Sequence, residues 1–374
     1  MLSIFVAGDF VPRRRIKSLV EIGDFRFFDG VLSYTGSTDY SIVNLESPIL
    51  VDKADPINKT GPNLCCDRKA ADALKYAGFQ AVTLANNHFR DYGQTGVLNT
   101  LTSCENVGLK TVGGGRNFEE ASKNLVVSKN EKKLTVINAC EHEWSIAKTD
   151  RGGSRPLNPL DIYYDIVNSK KESDYVMVIL HGGTEHYNLP TPRMKQLYRF
   201  FVDVGADAVV NHHQHCYSGY EIYKKKPIFY GLGNFCFDKH KAENKPSWED
   251  GYAVTINFDE EINFELHPYT QCSEDYCGVR FLDDSDAFNE RLLKLNNIIS
   301  DDVVLKEAFE RMAIGKSQTL RALLAPYTGI WLRLMQKGVI PSFVNKPRLQ
   351  RLLAFVQCES HHDILVEYLK QEVQ

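Results

Sequence analysis

Five short apolar segments in the first part of the chain each end directly in side chains that can bind a metal ion. The segments and the residues that follow them are Leu2–Ala7 with Gly8 and Asp9, Ser41–Leu45 with Glu46, Ala81–Ala85 with Asn86, Asn87 and His88, Val176–Leu180 with His181, and Ala208–Val210 with Asn211, His212, His213, Gln214 and His215. Apolar runs of this length are typical of buried β-strands. Helix-like segments follow three of them, which favours parallel strands whose carboxyl ends converge at one edge of an α/β sheet.

Carboxylate, carboxamide and imidazole groups gathered at a sheet edge form the ligand set of a hard-to-borderline divalent cation. Thiolates are absent from the set, which argues against a structural zinc site. Taken singly, each member has an ordinary explanation as a turn, loop or core residue. The histidines at 212, 213 and 215 have no packing rationale, and an extended chain places His213 and His215 on the same side. We therefore predict one or two divalent metal ions, with Mn, Fe, Zn and Mg as the candidates.

Helix and strand patterns alternate up to about residue 265. The predicted helices of this part are Arg68–Ala77, Thr95–Val107 and one that begins at Thr191 and Pro192, and the further predicted strands are Leu125–Ser128, Leu134–Asn138, Gly219–Tyr223, Pro227–Tyr230, Tyr252–Phe258 and Ile262–Leu266. We expect Leu125–Ser128 and Leu134–Asn138 to form a hairpin and the last four strands to be antiparallel. The irregular segment Ser47–Asn63 is long enough to suggest that it borders the site.

The pattern changes after about residue 280, where apolar residues recur at helical spacing. The predicted helices there are Phe288–Ile299, Val303–Arg311, Ser317–Lys337, Arg348–Gln357 and His361–Gln371. We therefore predict two domains, an α/β domain over residues 1–275 and an all-helical domain over residues 276–374. Packing of a small helical core is the favoured role of these helices, and a lid over the site or a homodimer contact are the alternatives.

Composition limits the partners of the chain. It has 374 residues and a formal net charge of −4, so no overall basic field favours nucleic acid or an anionic membrane. No apolar segment approaches the ~20 residues that cross a bilayer, and we expect no signal peptide. Nine cysteines are scattered without disulfide or metal spacing, which favours free thiols and a cytoplasmic location.

The motifs at these strand ends resemble those of the CapA family of capsule and poly-γ-glutamate synthesis proteins, a branch of the calcineurin-like metallophosphoesterases. The matching stretches are Gly8-Asp9, Asn44-Leu45-Glu46, Leu84-Ala85-Asn86-Asn87-His88, Asp91-Tyr92-Gly93, His181-Gly182-Gly183-Thr184-Glu185, Gly205-Ala206-Asp207 with His212-His213-Gln214-His215, and the run from Pro227 to Phe235. The resemblance covers roughly residues 1–240. It implies a four-layer αββα metallophosphoesterase-like sandwich, to which this chain adds an all-helical C-terminal region.

The resemblance also implies roles for single residues. The implied metal ligands are Asp9 and His215 for one ion, Asn87, His181 and His213 for the other, and Glu46 as the carboxylate between them. His88 would lie beside the scissile bond and stabilise or protonate the leaving group, with Arg90 and Asp91 orienting it. Further candidates for contact with substrate or with the ligands are Arg13, Glu185, His186, His212 and Asn234. For Arg13, a solvated helix face is the alternative.

Two positions depart from the family pattern. The His expected two residues after Asp9 is Val11, which leaves one ion with fewer protein ligands unless Glu185, His186 or His212 replaces it. Gly182 stands where a large aromatic residue is common, so we expect a wider pocket.

These features predict a metal-dependent phosphoric ester hydrolase that acts in capsule or cell-surface polymer synthesis, on an anionic phosphorylated or polymer-precursor substrate. Paired divalent ions hold the attacking and leaving oxygens of a phosphoryl transfer, and an imidazole such as that of His88 completes the site as a general acid. One alternative is a metal-dependent γ-glutamyl amide hydrolase or transferase. Another is a non-catalytic capsule or poly-γ-glutamate assembly subunit, which the missing His at Val11 favours.

Overall fold

The computed structural model describes residues 1–59, 61–239, 248–315, 325, 327–357 and 369. Its strands are β1 (Leu2–Val11), β2 (Tyr40–Leu45), β3 (Ile49–Leu50), β4 (Cys66–Asp67), β5 (Ala81–Thr83), β6 (Lys110–Val112), β7 (Gly114–Gly115), β8 (Leu125–Lys129), β9 (Lys132–Cys140), β10 (Gly153–Ser154), β11 (Tyr175–His181), β12 (Ala208–His212), β13 (Tyr220–Tyr223), β14 (Lys226–Phe229), β15 (Asn234–Phe237), β16 (Asp250–Phe258), β17 (Asn263–Gln271) and β18 (Val279–Phe281).

The α-helices are α1 (Arg15–Ile22), α2 (Leu32–Ser37), α3 (Lys69–Tyr76), α4 (Gly93–Asn106), α5 (Phe118–Ala121), α6 (Pro159–Glu172), α7 (Pro192–Asp203), α8 (Asp286–Ser300), α9 (Asp302–Gly315), α10 (Gly329–Gln336) and α11 (Lys346–Gln357). A 3-10 helix spans Arg26–Val31. The longest described helix, α8, has 15 residues, which is short of the ~20 that a bilayer crossing needs, so no described helix spans a membrane.

Two mixed sheets carry the five strands that lead to the site. The first has the order β18-β17-β16-β1-β2-β5-β6, and β15 adds a short parallel pairing to the end of β1. The second has the order β13-β14-β12-β11-β9-β8. Strands β1, β2 and β5 are parallel in the first sheet, as are β11 and β12 in the second. The five strand ends therefore come from two sheets, and the expectation of one common sheet edge is wrong.

The two sheets lie between layers of helices. On the outer face of the first sheet, Phe5 and Ala7 of β1 belong to one buried cluster with Ile16 of α1 and Leu74 of α3. Helices α6 and α7 pack on strands of the second sheet. Aromatic contacts join the inner faces, including Tyr175 to Phe258 with ring centroids 5.4 Å apart and Phe229 to Phe264 at 5.0 Å. This is the predicted four-layer αββα sandwich.

Local sequence patterns predicted several helices and strands correctly. Thr191 caps α7, since its hydroxyl accepts a hydrogen bond from the Met194 backbone N–H at 3.2 Å, and Pro192 is the first helical residue. The predicted hairpin is confirmed as β8 and β9. The expectation of an all-antiparallel set after Gly219 is wrong for β14, which pairs in parallel with β12. Strand β15 was not predicted.

Of the predicted C-terminal helices, three are confirmed and two lie partly or largely outside the described residues. Helices α8, α9 and α11 lie where helical spacing placed them. Of the predicted helix Ser317–Lys337, the part Gly329–Gln336 is helical and Thr328 before it is extended, while residues 317–324 and 326 lie outside the described residues. The predicted helix His361–Gln371 also lies outside them, apart from residue 369.

Contacts divide the chain into two compact units, Met1–Leu305 and Lys306–Gln374. Strand β18 and helix α8 follow residue 275 and lie in the first unit, so this division falls later than the predicted domain boundary. Every predicted site residue lies in the first unit.

Candidate metal centre

Asp9 is placed by an irregularity near the end of β1. Its register with β2 shifts between Ala7 and Asp9, and that with β15 shifts after Asp9. The preceding Gly8 fits against the backbone of Gly233, because a Cβ at residue 8 would lie 2.0 Å from the Gly233 carbonyl oxygen. The Asp9 carboxylate is buried and accepts hydrogen bonds from Asn44 Nδ2 at 2.7 Å and from the His213 backbone N–H at 3.1 Å. Asp9 therefore holds strands and loops from both sheets together.

Glu46 follows β2 directly and is completely buried. Its backbone N–H donates to the Phe10 carbonyl oxygen of the first sheet, and its side chain lies against His181 of the second sheet. Neither Oε1 nor Oε2 has a hydrogen-bond partner among the described residues. Oε1 lies 3.3 Å from His181 Nε2, and Oε2 lies 3.9 Å from His215 Nδ1. A buried carboxylate without donors is costly unless a cation satisfies it.

Four potential ligand atoms crowd around the end of β11. His181 Nε2 lies 3.1 Å from Asn87 Oδ1, 3.1 Å from His213 Nδ1 and 3.3 Å from Glu46 Oε1. At most one ring N–H can lie between the imidazoles of His181 and His213. The remaining nitrogen and oxygen atoms around His181 Nε2 therefore present lone pairs to one another. Such an arrangement fits a cation better than a set of hydrogen bonds.

His215 and Asn234 form the other side of the cluster. His215 Nδ1 lies 3.0 Å from Asn234 Oδ1 and 3.9 Å from Asp9 Oδ2. Asn234 opens β15 beside Asp9, and its Nδ2 donates to the His215 carbonyl oxygen at 3.1 Å. The indole of Trp248 packs on the His215 ring with centroids 5.3 Å apart. Asn234 thus fixes both the backbone and the ring of His215.

The histidine loop is not the extended segment that the spacing indicated. β12 ends at His212, and His213 and His215 have φ values of +93° and +56°. These left-handed conformations are strained for non-glycine residues. They turn the two imidazoles into the cluster, with ring centroids 6.1 Å apart.

Burial sets the protonation of the cluster. It raises the pKa of Glu46 well above its ordinary value, and the neighbouring Asp9 raises it further. Burial lowers the pKa of His181 well below its ordinary value, with the charge of His213 as the next cause. It also lowers the pKa of His215 to about 3, against the opposing effect of Asp9. The imidazoles of His181 and His215 are therefore neutral near pH 7 and carry the lone pairs that metal ligands need.

The side chains form two sets of potential ligands, and within each set the ligand atoms lie within 4.8 Å of one another. One set is Glu46, His181 and His213, and the other is Asp9, Glu46 and His215. Glu46 belongs to both sets, which is the position expected of a carboxylate between two ions. The oxygen and nitrogen donors, the facing imidazoles and the two Glu46 oxygens, which no described donor satisfies, fit divalent cations.

His88 lies next to this cluster in a buried ion-pair network. Its Nδ1 lies 2.6 Å from Asp91 Oδ2, which also accepts a hydrogen bond from the Leu64 backbone N–H at 2.7 Å. Lys59 forms an ion pair with Asp91 through Oδ1, and its Nζ lies 3.2 Å from His88 Nδ1. The Lys59 side chain is only 3% exposed. The irregular segment Ser47–Asn63 therefore does border the site, through a lysine that sequence reasoning did not single out.

The remaining candidates occupy different positions. His212 Nε2 lies 3.0 Å from the Ala7 carbonyl oxygen, so this imidazole bridges the two sheets. Glu185 is exposed, and His186 packs near the His215 ring at 5.9 Å between centroids. The Arg13 guanidinium lies 5.6 Å from the centre of the Phe237 ring, which itself packs edge-on against His215. Arg90 is half-buried, and burial lowers the pKa of its guanidinium.

The two departures from the family pattern have structural counterparts. Val11 is buried in a small apolar cluster with Phe237 and Trp248, where it supplies no ligand. Beside Gly182, a Cβ would lie 2.7 Å from Glu141 Cγ, so the Glu141 side chain packs directly against this glycine. The expectation of a wider pocket at Gly182 stays a prediction.

Sequence reasoning missed several residues that support the site. Glu143 Oε1 lies 3.6 Å from His213 Nε2, and the Ser145 hydroxyl donates to the Asn87 carbonyl oxygen at 2.7 Å. Both come from the irregular segment after β9, which carries no recognisable motif. Asn44 was detectable as a polar residue inside an apolar strand, and it lies 3.4 Å from His181 Nδ1.

Comparison with known proteins gives consistent matches over this region. The family model described as bacterial capsule synthesis protein PGA_cap matches residues 3–239. The capsule biosynthesis protein CapA of Bacillus anthracis is 32% identical over 256 residues, covering 66% of this chain and 62% of that protein. The PGA biosynthesis protein CapA of Bacillus subtilis is 31% identical over 251 residues, covering 66% of each. The chain thus spans less than two thirds of the length of these relatives.

Among solved structures, a novel phosphatase from Mycoplasma pneumoniae is similar, with a TM-score of 0.47 and 16% identity. The match covers 72% of this chain and 93% of that one.

Proposed function

Because the chain belongs to the bacterial capsule synthesis protein family PGA_cap, we propose that it is a metal-dependent phosphoric ester hydrolase in capsule or cell-surface polymer synthesis. One observation carries the metal dependence. Within the described part of the chain, the two buried oxygens of Glu46 have no hydrogen-bond partner, and Oε1 faces His181 while Oε2 faces His215. Cations on both sides would offset the desolvation of the ionised carboxylate.

The proposed ligands are Asp9 and His215 for one ion, Asn87, His181 and His213 for the other, and Glu46 between them. Divalent ions in these positions, of which Mn, Fe, Zn and Mg are the candidates, would neutralise phosphoryl charge and supply a nucleophile at neutral pH. With Val11 in place of a histidine, we expect the ion at Asp9 to be bound less tightly than its neighbour.

His88 is the proposed proton donor to the leaving oxygen. In the proposed tautomer, His88 Nδ1–H donates a hydrogen bond to Asp91 Oδ2 at 2.6 Å, which leaves Nε2 as the nitrogen that exchanges a proton with the substrate. Lys59 and the Leu64 backbone N–H hold Asp91 in place, so His88 keeps one ring orientation. Proton transfer from a positioned imidazole contributes typically about 10²–10⁴-fold to a rate.

The proposed substrate is an anionic phosphorylated polymer precursor, and the proposed location is the cytoplasm. The cysteines that the structure describes are all free thiols, which is compatible with a reducing compartment. The finer choice between a phosphate ester and a γ-glutamyl amide follows from the test below.

The test is hydrolysis of an aryl phosphate by the full-length chain with added Mn²⁺, for the wild type and for His88→Gln. We expect kcat to fall about a hundredfold or more in the variant while its metal content stays at the wild-type value. Arg26→Gln, which removes an exposed guanidinium paired with Asp24, is the matched control. Release of amines from γ-glutamyl peptides without phosphate ester hydrolysis would favour the amide reaction. No hydrolysis of either substrate by the metal-loaded chain would contradict an enzymatic role and favour an assembly subunit.

A further inference from the structure

Two arginines beside the candidate metal centre lack the carboxylate partners that most buried arginines have. Arg90 and Arg151 are both only partly exposed, and the Nε atom of each is buried without a hydrogen-bond partner. Among the residues that the structure describes, neither guanidinium forms an ion pair. By contrast, Arg155, which follows Arg151 closely in the chain, is paired with Asp165.

Hydrogen bonds attach both arginines to the same short segment, Arg90 through its backbone and Arg151 through its side chain. The Arg90 N–H donates to Ser145 Oγ at 3.0 Å, and Arg151 Nη2 donates to the Ile146 carbonyl oxygen at 3.3 Å. Ser145 Oγ in turn donates to the carbonyl oxygen of Asn87, a proposed metal ligand. Both arginines are therefore attached to the segment at residues 145 and 146, which also contacts Asn87, and Arg90 follows His88 closely in the chain.

Their electrostatics are unfavourable without a partner. Burial lowers the pKa of Arg90, and the positive charge of Arg151 lowers it further. Two guanidiniums that repel one another in a partly desolvated place are stabilised by an anion between them. A guanidinium binds carboxylate or phosphate oxygens with two parallel N–H donors, which suits such a ligand.

We propose that Arg90 and Arg151 form an oxyanion-binding subsite that holds a carboxylate or phosphate of the substrate away from the bond being cleaved. The subsite deepens the proposed function, on which it rests, because it makes a substrate with at least two anionic groups the preferred one. It holds that distal group by charge and hydrogen bonding alone, and it takes no part in the proton transfer assigned to His88.

The test is site-resolved protection of arginines in the full-length chain. Phenylglyoxal modifies accessible guanidiniums, and peptide mass spectrometry reports the rate at each residue. The protecting probes are inorganic phosphate and γ-linked triglutamate. Protection by the first indicates a phosphate ligand, and protection by the second indicates a carboxylate ligand. We expect at least one probe to slow modification of Arg90 and Arg151 together by about tenfold, while Arg26 reacts at an unchanged rate.

Arg151→Gln tests whether the two residues act as a pair. It should weaken protection of Arg90 by about tenfold, and Arg151→Lys should restore only part of it, because an ammonium lacks the planar fork. Modification rates that neither probe changes, or protection of Arg90 that persists in Arg151→Gln, would overturn the proposal. Loss of the proposed hydrolase activity with protection intact would count against the proposed function alone. Hydrolysis without protection would count against the subsite alone.

Discussion

At the scale of single residues, Glu46 stores an electrostatic cost in the metal-free chain. Burial and the charge of Asp9 both raise the pKa of this carboxyl. Since its pKa is raised on folding, the stability contributed by its neutral form is present at low pH and is lost as pH rises through the folded-state pKa. A bound cation removes the cost, so the same residue couples folding to metal binding.

Glu46→Gln should therefore change stability in opposite directions with and without metal. In the metal-free chain we expect the variant to be more stable than the wild type by about 1 kcal/mol, with the larger difference at alkaline pH. With added Mn²⁺ the wild type should gain thermal stability and the variant should gain little. Thermal unfolding with a chelator and with Mn²⁺ measures both effects. A variant that is less stable than the wild type in the chelator would contradict this account of Glu46.

Lys59 is the second residue with a distinct prediction. Its ammonium and the Asp91 carboxylate are both buried, so Lys59→Met leaves an unpaired charge and should destabilise the chain by about 3 kcal/mol. Adding Asp91→Asn removes that charge and should recover part of the loss. Denaturant unfolding of the two single variants and the double variant measures the coupling. Additive losses would show that the ion pair does not contribute as described.

At the scale of elements, the junction of β1 with β15 positions Asp9. Gly8→Ala places a methyl group against the Gly233 carbonyl oxygen, so we expect a loss of about 3 kcal/mol in unfolding free energy and lower metal affinity. Gly36→Ala in α2 is the matched control, because a Cβ there meets no atom of the described residues within 4 Å. Denaturant unfolding and metal titration test the pair. Equal effects of the two substitutions would contradict the role assigned to Gly8.

The elements that could be predicted from sequence are those specified by local patterns. Strands such as β11 are continuous apolar runs, and α7 has its cap and first-turn proline within two residues. Strand β15 was missed because it has only four residues and because it pairs with β1, which lies more than two hundred residues earlier in the chain. The division of the strands between two sheets came from the family resemblance, since the spacing alone indicated one.

The residues of the candidate site likewise fall into those that a local pattern predicts and those that it does not. Residues at strand ends, such as Asp9 and His181, have a sequence signal because topology places them at a predictable point. Lys59, Glu143 and Arg151 come from irregular segments, whose path depends on tertiary contacts and leaves no periodic pattern. The left-handed backbone of His213 and His215 was also outside the reach of an extended-strand argument.

At the scale of the whole molecule, all proposed ligands and His88 lie in the unit Met1–Leu305. A chain cut after residue 315, the end of α9, should therefore keep metal content and hydrolysis within about twofold of the full-length values. Metal analysis and aryl phosphate hydrolysis of the shortened and full-length chains make the comparison. Loss of metal from a shortened chain that still unfolds cooperatively would show that residues after 315 contribute to the site. The proposed homodimer contact through the C-terminal helices stays a prediction.

The central claim is that groups from five strand ends in two sheets surround divalent cations. Anomalous diffraction from crystals of the full-length chain grown with Mn²⁺ tests it most directly. We predict a strong anomalous peak within coordination distance of Glu46, His181 and His213, and a second, weaker one beside Asp9 and His215. Crystals with no anomalous peak between these side chains, or with Mn²⁺ bound only elsewhere, would contradict the account.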